Sequence, residues 1–223
     1  MIDAKKFYNL DSLSQTQKIY AEKVLLNVLD KLKYKKLLEV GCGDGHLLTK
    51  LPKGKCFGLE SSQDMINNKV NSEIEMIMGD ILDKDFALKH NGQFNVAIAN
   101  YVFMQFNQKE LEMAFSNVHN LLSNGGKIIF TITDPRTRDR MEFDGYKLEF
   151  TEPFEYSKQD LLFKVLLYDG KKYVDVGIRD FHNPVEIYEN LLNKTKFENI
   201  KIEDIKRNKD DYTFALLISA TKN

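Results

Sequence analysis

The sequence predicts an α/β protein: a mostly parallel sheet flanked by helices, with a smaller β-rich elaboration late in the chain. Three observations carry this. Short apolar runs alternate with amphipathic segments between residues 36 and 133, the signature of βαβ units. The first run closes in Glu39-Val40-Gly41-Cys42-Gly43-Asp44-Gly45, a glycine-rich loop at the carboxyl end of a strand, where open α/β sheets bind ligands. After Asp134-Pro135 the helical periodicity lapses and strand-like segments take over.

A first helix is expected from a cap at Ser14 to about residue 32, with Ile19, Val24, Leu25, Val28, Leu29 and Leu32 near helical spacing. Strands follow over residues 36–40, 56–60, 74–78, 94–99 and 127–133. Helical stretches over 45–51, 62–70 and 108–122 separate them, the last with Leu111, Phe115, Val118, Leu121 and Leu122 on one face. Short segments over 146–150 and 154–156 then precede a hairpin, 163–168 with 171–181. Asp169-Gly170 joins its strands and suits a two-residue primed turn. Pro184 fits the first turn of a helix to about Lys194. Strands over 199–205 and 212–220 have no helix between them, so they should pair antiparallel.

The expected organisation is one domain in four parts. Residues 1–35 form a helical lid, 36–134 the cofactor-binding half, 135–181 a substrate cap on the ligand-binding edge, and 182–223 a helix with a strand pair.

Composition agrees with a globular chain able to bury a full core, at 43% hydrophobic and 29% charged residues. Lys+Arg 32 against Asp+Glu 33 leaves a net charge of −1, which argues against a dedicated nucleic-acid binder. No run reaches transmembrane length, and the first residues carry no apolar signal core. Cys42 and Cys56 make neither a disulfide framework nor a metal knuckle, so a reduced cytoplasmic setting without a metal is expected.

Gly41, Gly43 and Gly45 allow φ > 0 and the approach of a ligand to bare backbone, and the helix expected next offers unpaired N–H groups. A dinucleotide fingerprint would need G-x-G-x-x-G, but the third glycine comes one position early and His46 stands in its place. A tight turn with no ligand is the plain alternative.

The wider set of motifs resembles the class I S-adenosylmethionine-dependent methyltransferases. Their E/D-x-G-x-G-x-G is matched by Glu39, Gly41, Gly43 and Gly45. Glu60 ends the second strand, where the family holds the ribose hydroxyls. Gly79-Asp80-Ile81 follows the third, where it places a carboxylate and an apolar residue by the adenine. Residues 94–101 resemble the fourth-strand motif, and Leu121-Leu122-Ser123-Asn124-Gly125-Gly126 the L-L-x-P-G-G turn, with Asn124 at the proline position. The resemblance covers roughly residues 15–134 and the closing helix and strands. It implies a seven-stranded, mostly parallel Rossmann-like sheet with one antiparallel strand, capped by a small β-rich unit.

It also implies S-adenosyl-L-methionine as cofactor and S-adenosyl-L-homocysteine as product. Besides the residues named, Cys42, Ser61, Met65, Asn100, Tyr101 and the N-terminal Tyr20 fall on the positions that would surround it. A carboxylate such as Glu60 suits a ribose diol, and Asp80 with Ile81 and Met65 suits an adenine. Each has a structural alternative: Glu60 a solvated strand end, Asp80 a helix cap, Met65 and Ile81 core, Asn100 a turn residue.

Methyl transfer from a sulfonium needs alignment, exclusion of water and, for some acceptors, removal of a proton. No Asn/Asp-Pro-Pro-aromatic motif follows the fourth strand, and no cysteine stands at the fourth or fifth strand for cytosine-C5 chemistry. Tyr101, Phe103, Met104 and Phe106, with Tyr8 and the cap residues Tyr146 and Phe154, suit an apolar acceptor or, equally, a core for the cap. His182, in Phe181-His182-Asn183-Pro184, is the general-base candidate, with a loop-satisfying histidine as its alternative. Arg136, Arg138 and Arg140 suit an anionic acceptor or a solvated loop.

The sequence thus reads as a methyltransferase acting on O, N or C of a small metabolite, as monomer or homodimer, with no membrane or nucleic-acid partner. Methylation of a protein, carrier-bound or RNA substrate is the first alternative. A non-catalytic binder of the same cofactor and a nicotinamide oxidoreductase are the others.

Overall fold

The computed structural model describes residues 16–140, 142–143, 145–206, 208 and 212–223. It opens with helix α1 (Thr16–Leu29), then β1 (Leu37–Val40), β2 (Cys56–Glu60), α2 (Gln63–Asn67), β3 (Glu75–Met78), α3 (Lys84–Lys89) and β4 (Phe94–Asn100). Helix α4 (Gln108–Leu121) runs into β5 (Leu122–Thr133). There follow β6 (Glu142–Phe143), β7 (Tyr146–Phe150), β8 (Leu161–Tyr168), β9 (Tyr173–His182), α5 (Val185–Lys194), β10 (Phe197–Ile205) and β11 (Ala215–Lys222).

Seven strands form one sheet in the order β10-β11-β5-β4-β1-β2-β3. Strands β1 to β5 pair in parallel, and β11 alone runs antiparallel, to both β5 and β10. Alternate residues of the central strands feed two cores. Leu38, Val40, Ala97, Ala99, Phe130 and Ile132 face α4 and α5, whose Phe115, Val118 and Tyr188 are buried against them. Leu37, Val96, Ile98, Ile129 and Leu217 face α1 through Ala21, Leu25 and Leu29. Burial on both faces is why these strands read as largely apolar runs, interrupted only at residues such as Glu39, Asn95 and Thr131. Helix α4 starts where it does because Asn107 Oδ1 accepts from Glu110 N (3.0 Å) and Glu110 Oε2 from Asn107 N (3.1 Å), a capping box.

A second sheet, β6-β7-β8-β9, is antiparallel throughout and fills residues 142–182. Its own small core is Leu148, Phe163, Val165, Leu167 and Val176.

Three local expectations are corrected. The helix foreseen over 45–51 is one 3-10 turn, Leu47–Lys50. Pro52 follows, and the residue before a proline is driven out of the helical region: Leu51 is extended at φ −106°, ψ 160°. The two-residue turn at Asp169-Gly170 is instead a four-residue loop between the paired Tyr168 and Tyr173. Asp169 Oδ1 accepts from both Lys171 N and Lys172 N (2.9 Å each), and this side-chain turn sets the longer loop. Residues 154–156 are not a strand. The cap foreseen at Ser14 lies outside the described residues.

Candidate functional site

Strands β1 to β4 run parallel, so their carboxyl ends share one edge of the sheet, and the loops leaving them line a single cavity. Its volume is about 430 Å³, which falls among small-molecule sites of roughly 300–1,000 Å³.

The glycine loop is folded back on β2. Gly41 N and Cys42 N both donate to Leu59 O (2.8 and 3.2 Å), and Gly45 N donates to Cys42 O (2.9 Å). Gly41 sits at φ +65°, where a Cβ would lie 2.7 Å from Val102 Cγ2. The residue is therefore glycine twice over, for its backbone angle and for the valine pressed against it. That valine is delivered by a bend at Tyr101, which is left-handed at φ +59°. A bulky residue is strained there, and such strain gathers at functional sites.

Glu60, 9% exposed, is fixed by this loop: one oxygen accepts from Gly43 N and the other from Ser62 N, each at 2.9 Å. Each carboxylate oxygen keeps a further lone pair, so the group is oriented and still able to accept from a ligand. Asp80 Oδ1 accepts from Leu82 N (2.9 Å) in a local turn, while the cap of α3 is Asp83. Asp80 therefore does not cap the helix, and it lines the cavity beside Gly79 and Ile81. Asn100 Oδ1 accepts from Thr131 Oγ1 (2.5 Å). Burial and the carboxylates of Glu39 and Glu60 push the Cys42 thiol far up, so it is a neutral wall rather than a nucleophile.

Glu39, Ser61, Met65, Tyr101, Met104, Phe106 and Tyr146 also line the cavity, as the sequence led us to expect. Seven carboxylates line the cavity, two of them paired with cations outside it (Glu22 with Lys50, Asp134 with Arg136); against Arg138 and Arg140 the lining stays acidic, which favours a cationic ligand.

Other expected residues lie elsewhere. Tyr20 packs its ring on Phe214 (centroids 6.5 Å apart), one layer behind the cavity wall. Gly45 shapes the turn without lining the cavity. Phe103 is core, wholly buried among Phe115 and Phe130, whereas Phe154 is half-buried, tilted against Phe150 and edge-on to His182, off the cavity. Tyr8 lies outside the described residues.

His182 is not placed to act as a base. It is fully buried and off the cavity, with Nε2 2.9 Å from Tyr156 O and Nδ1 3.4 Å from Arg138 Nη1. Against a carbonyl, Nε2 must carry the proton, which leaves Nδ1 to accept from the guanidinium. Burial, reinforced by Arg138, presses its pKa down to about 4 despite the Tyr156 carbonyl, so the ring stays neutral. Its work is to hold Arg138, which also donates to Phe181 O (3.1 Å) and Thr133 Oγ1 (3.0 Å) and covers the Phe163 ring at 4.9 Å. Of the other arginines, Arg136 is spent on Asp134 and Asp204, and Arg140 lies over Tyr212 at 4.3 Å.

The residue that sequence reasoning missed is Asp180. It is fully buried on β9, lines the cavity, and accepts a hydrogen bond at neither oxygen from any described residue. Burial raises its carboxyl to about 7 although Arg138 pulls the other way. The signal was present in the alternation: Val174, Val176, Ile178, Asp180 and His182 share one parity, which sets an acid on an apolar face.

A family model described as "Methyltransferase domain" matches residues 12–164. An uncharacterized methyltransferase of Bacillus mycoides (strain KBAB4) is 28% identical over 126 residues, 53% of this chain and 57% of that protein. The match thus spans a little over half the length of this curated relative. Among solved structures, an S-adenosylmethionine-dependent methyltransferase of Clostridium acetobutylicum ATCC 824 superposes with a TM-score of 0.67 at 18% identity, covering 98% of each chain. A Pyrococcus horikoshii OT3 protein gives 0.68 at 18% identity, over 98% of this chain and 99% of its own.

Proposed function

This chain belongs to the methyltransferase domain family, in the class I fold of the S-adenosylmethionine-dependent enzymes. On that premise we propose that it moves a methyl group from S-adenosylmethionine to O, N or C of a small metabolite. The observation that carries this reading is the convergence of the Gly41–Gly43 backbone, Glu60 and Asp80 on one cavity that continues beneath the four-stranded sheet. Backbone kept bare at Gly41, an oriented carboxylate at Glu60 and the apolar Met65 and Ile81 fit an adenosyl group.

Glu60 would hold the ribose hydroxyls, and Asp80, Ile81 and Met65 the adenine. When bound, the cofactor supplies a methyl group activated by a positive sulfonium. The chain's residues then have three tasks. The carboxylates of the lining, Glu39 among them, keep the surroundings electron-rich. Tyr101, Phe106, Tyr146 and Phe163 wall the far chamber and exclude water. The cap sheet and the loop after β4 hold the acceptor in line with the transferring carbon. A concave cavity of about 430 Å³, the proposed cofactor end included, suits a metabolite rather than a folded macromolecule. No helix among the described residues is long and apolar enough to cross a membrane.

The test is methyl-labelled S-adenosylmethionine with a metabolite extract, followed by mass spectrometry. Label is expected in a small-molecule product, with S-adenosylhomocysteine released in equal amount. Label found only in protein or RNA fractions, or none transferred, contradicts the reading.

A further inference from the structure

Under the cap the cavity has walls of Leu148, Phe163, Val165 and Ile178. In this chamber, which holds a cation beside these walls, the Arg138 guanidinium over Phe163, Asp180 is fully buried, and neither of its oxygens has a donor among the described residues. Natural folds satisfy almost all buried polar side chains, so an acid left bare on both oxygens in a cavity wall is held for a ligand that brings the donors. Arg138 is near enough to act on it electrostatically but makes no hydrogen bond to it: its Nη atoms go to Phe181 O, Thr133 Oγ1 and His182 Nδ1, and its Nε has no partner among the described residues.

We infer that Asp180 binds the methyl acceptor through N–H donors and takes its proton, which makes the acceptor a small primary or secondary amine with an apolar or aromatic body. This rests on the reading of the cavity as a cofactor and acceptor site. A hydroxyl acceptor would offer one donor to two bare oxygens, whereas an ammonium offers two or three. A carboxylate acceptor would meet Asp180 as a like charge.

The chemistry balances. The ammonium gives one proton to the Asp180 carboxylate, which becomes a carboxylic acid, and the amine nitrogen regains its lone pair. That pair forms the N–CH3 bond as the S–CH3 bond breaks, the S–C electrons staying on sulfur to leave a neutral thioether. The nitrogen ends as a methylammonium, and Asp180 returns its proton to water when product leaves. The walls of Tyr101, Phe106 and Tyr146 hold the apolar body, and Tyr101 Oη, buried and without a hydrogen-bond partner among the described residues, remains for a polar substituent.

The experiment uses the full chain loaded with S-adenosylhomocysteine and a matched set: phenethylamine, 2-phenylethanol and phenylacetate, together with ethylamine, ethanol and acetate. Calorimetry is expected to give at least tenfold tighter binding of the amine in one set or both. Asp180→Asn should abolish that preference with S-adenosylhomocysteine affinity unchanged, which also shows that the variant is folded. Asp180→Glu should restore part of it. With methyl-labelled S-adenosylmethionine, only amines should take up label, and Asp180→Asn should lower kcat at least a hundredfold. An amine bound no better than its alcohol and acid, or a preference that survives Asp180→Asn, overturns the inference while the cofactor reading stands. Failure of the wild-type chain to bind S-adenosylhomocysteine overturns both.

Discussion

Replacing Asp180 by asparagine keeps the side chain's shape and removes a charge to which no described residue donates a hydrogen bond. Burial lifts the carboxyl to about 7 from the ordinary 3.8, with Arg138 opposing. Well below pH 3.8 the folded and unfolded chains both hold the proton, and Asp180 is neutral in its effect. As pH rises, the unfolded chain releases its proton while the fold retains it, so stability falls until the folded carboxyl also ionises near 7. At 1.36 kcal/mol per pH unit the loss is about 1.6 kcal/mol at pH 5 and about 4 kcal/mol at pH 8. The asparagine variant does not titrate and escapes this loss. Its own amide is also unbonded, a penalty that is the same at both pH values. Urea denaturation should therefore show the variant's advantage over wild type growing by about 2–3 kcal/mol between pH 5 and pH 8. A variant that gains stability while losing turnover marks a group retained for function. An advantage independent of pH, or one that shrinks toward pH 8, would refute the reasoning.

Three further outcomes are expected. Glu60→Ala removes the acceptor for a ribose diol and frees Gly43 and Ser62, so calorimetry should show cofactor affinity falling roughly tenfold or more, from ~1.5–3 kcal/mol per hydrogen bond to a charged group. Gly41→Ala places a Cβ against Val102 at a left-handed backbone angle, so it should lose at least about 1–2 kcal/mol by denaturation and bind cofactor poorly. His182→Ala leaves Arg138 Nη1 and the Tyr156 carbonyl short of a partner, so stability should drop by about 1–3 kcal/mol. The shape of its pH–rate profile should stay the same, whereas a histidine base would take one limb of the profile with it.

The central sheet was legible because its strands are buried on both faces: the runs at 37–40, 56–60 and 94–100 are largely apolar, broken by few polar residues such as Glu39 and Asn95, and bounded by glycine or polar turns. The proposed cofactor end was legible for a local reason. Glycine at a left-handed position and carboxylates at strand ends are forced by local geometry, so residue type and spacing betray them. The proposed acceptor end was not. Asp180 and Arg138 reach the chamber from β9 and from the segment after β5, and what places them is cap packing, not local chemistry. His182 misled for a related reason: its flanking pattern draws the eye, but only tertiary structure shows both ring nitrogens engaged. The short turn after the glycine loop and the four-residue hairpin loop depend on Pro52 and the Asp169 carboxylate, single residues that override the periodic pattern.

A crystal structure of the full chain with S-adenosylhomocysteine tests the account most directly. It should show the ribose hydroxyls on Glu60, the adenine between Met65 and Ile81 with Asp80 at its amino group, and the sulfur facing the chamber that holds Asp180. Density for the ligand elsewhere, or a cavity at these strand ends that takes up a nicotinamide dinucleotide instead, would contradict it.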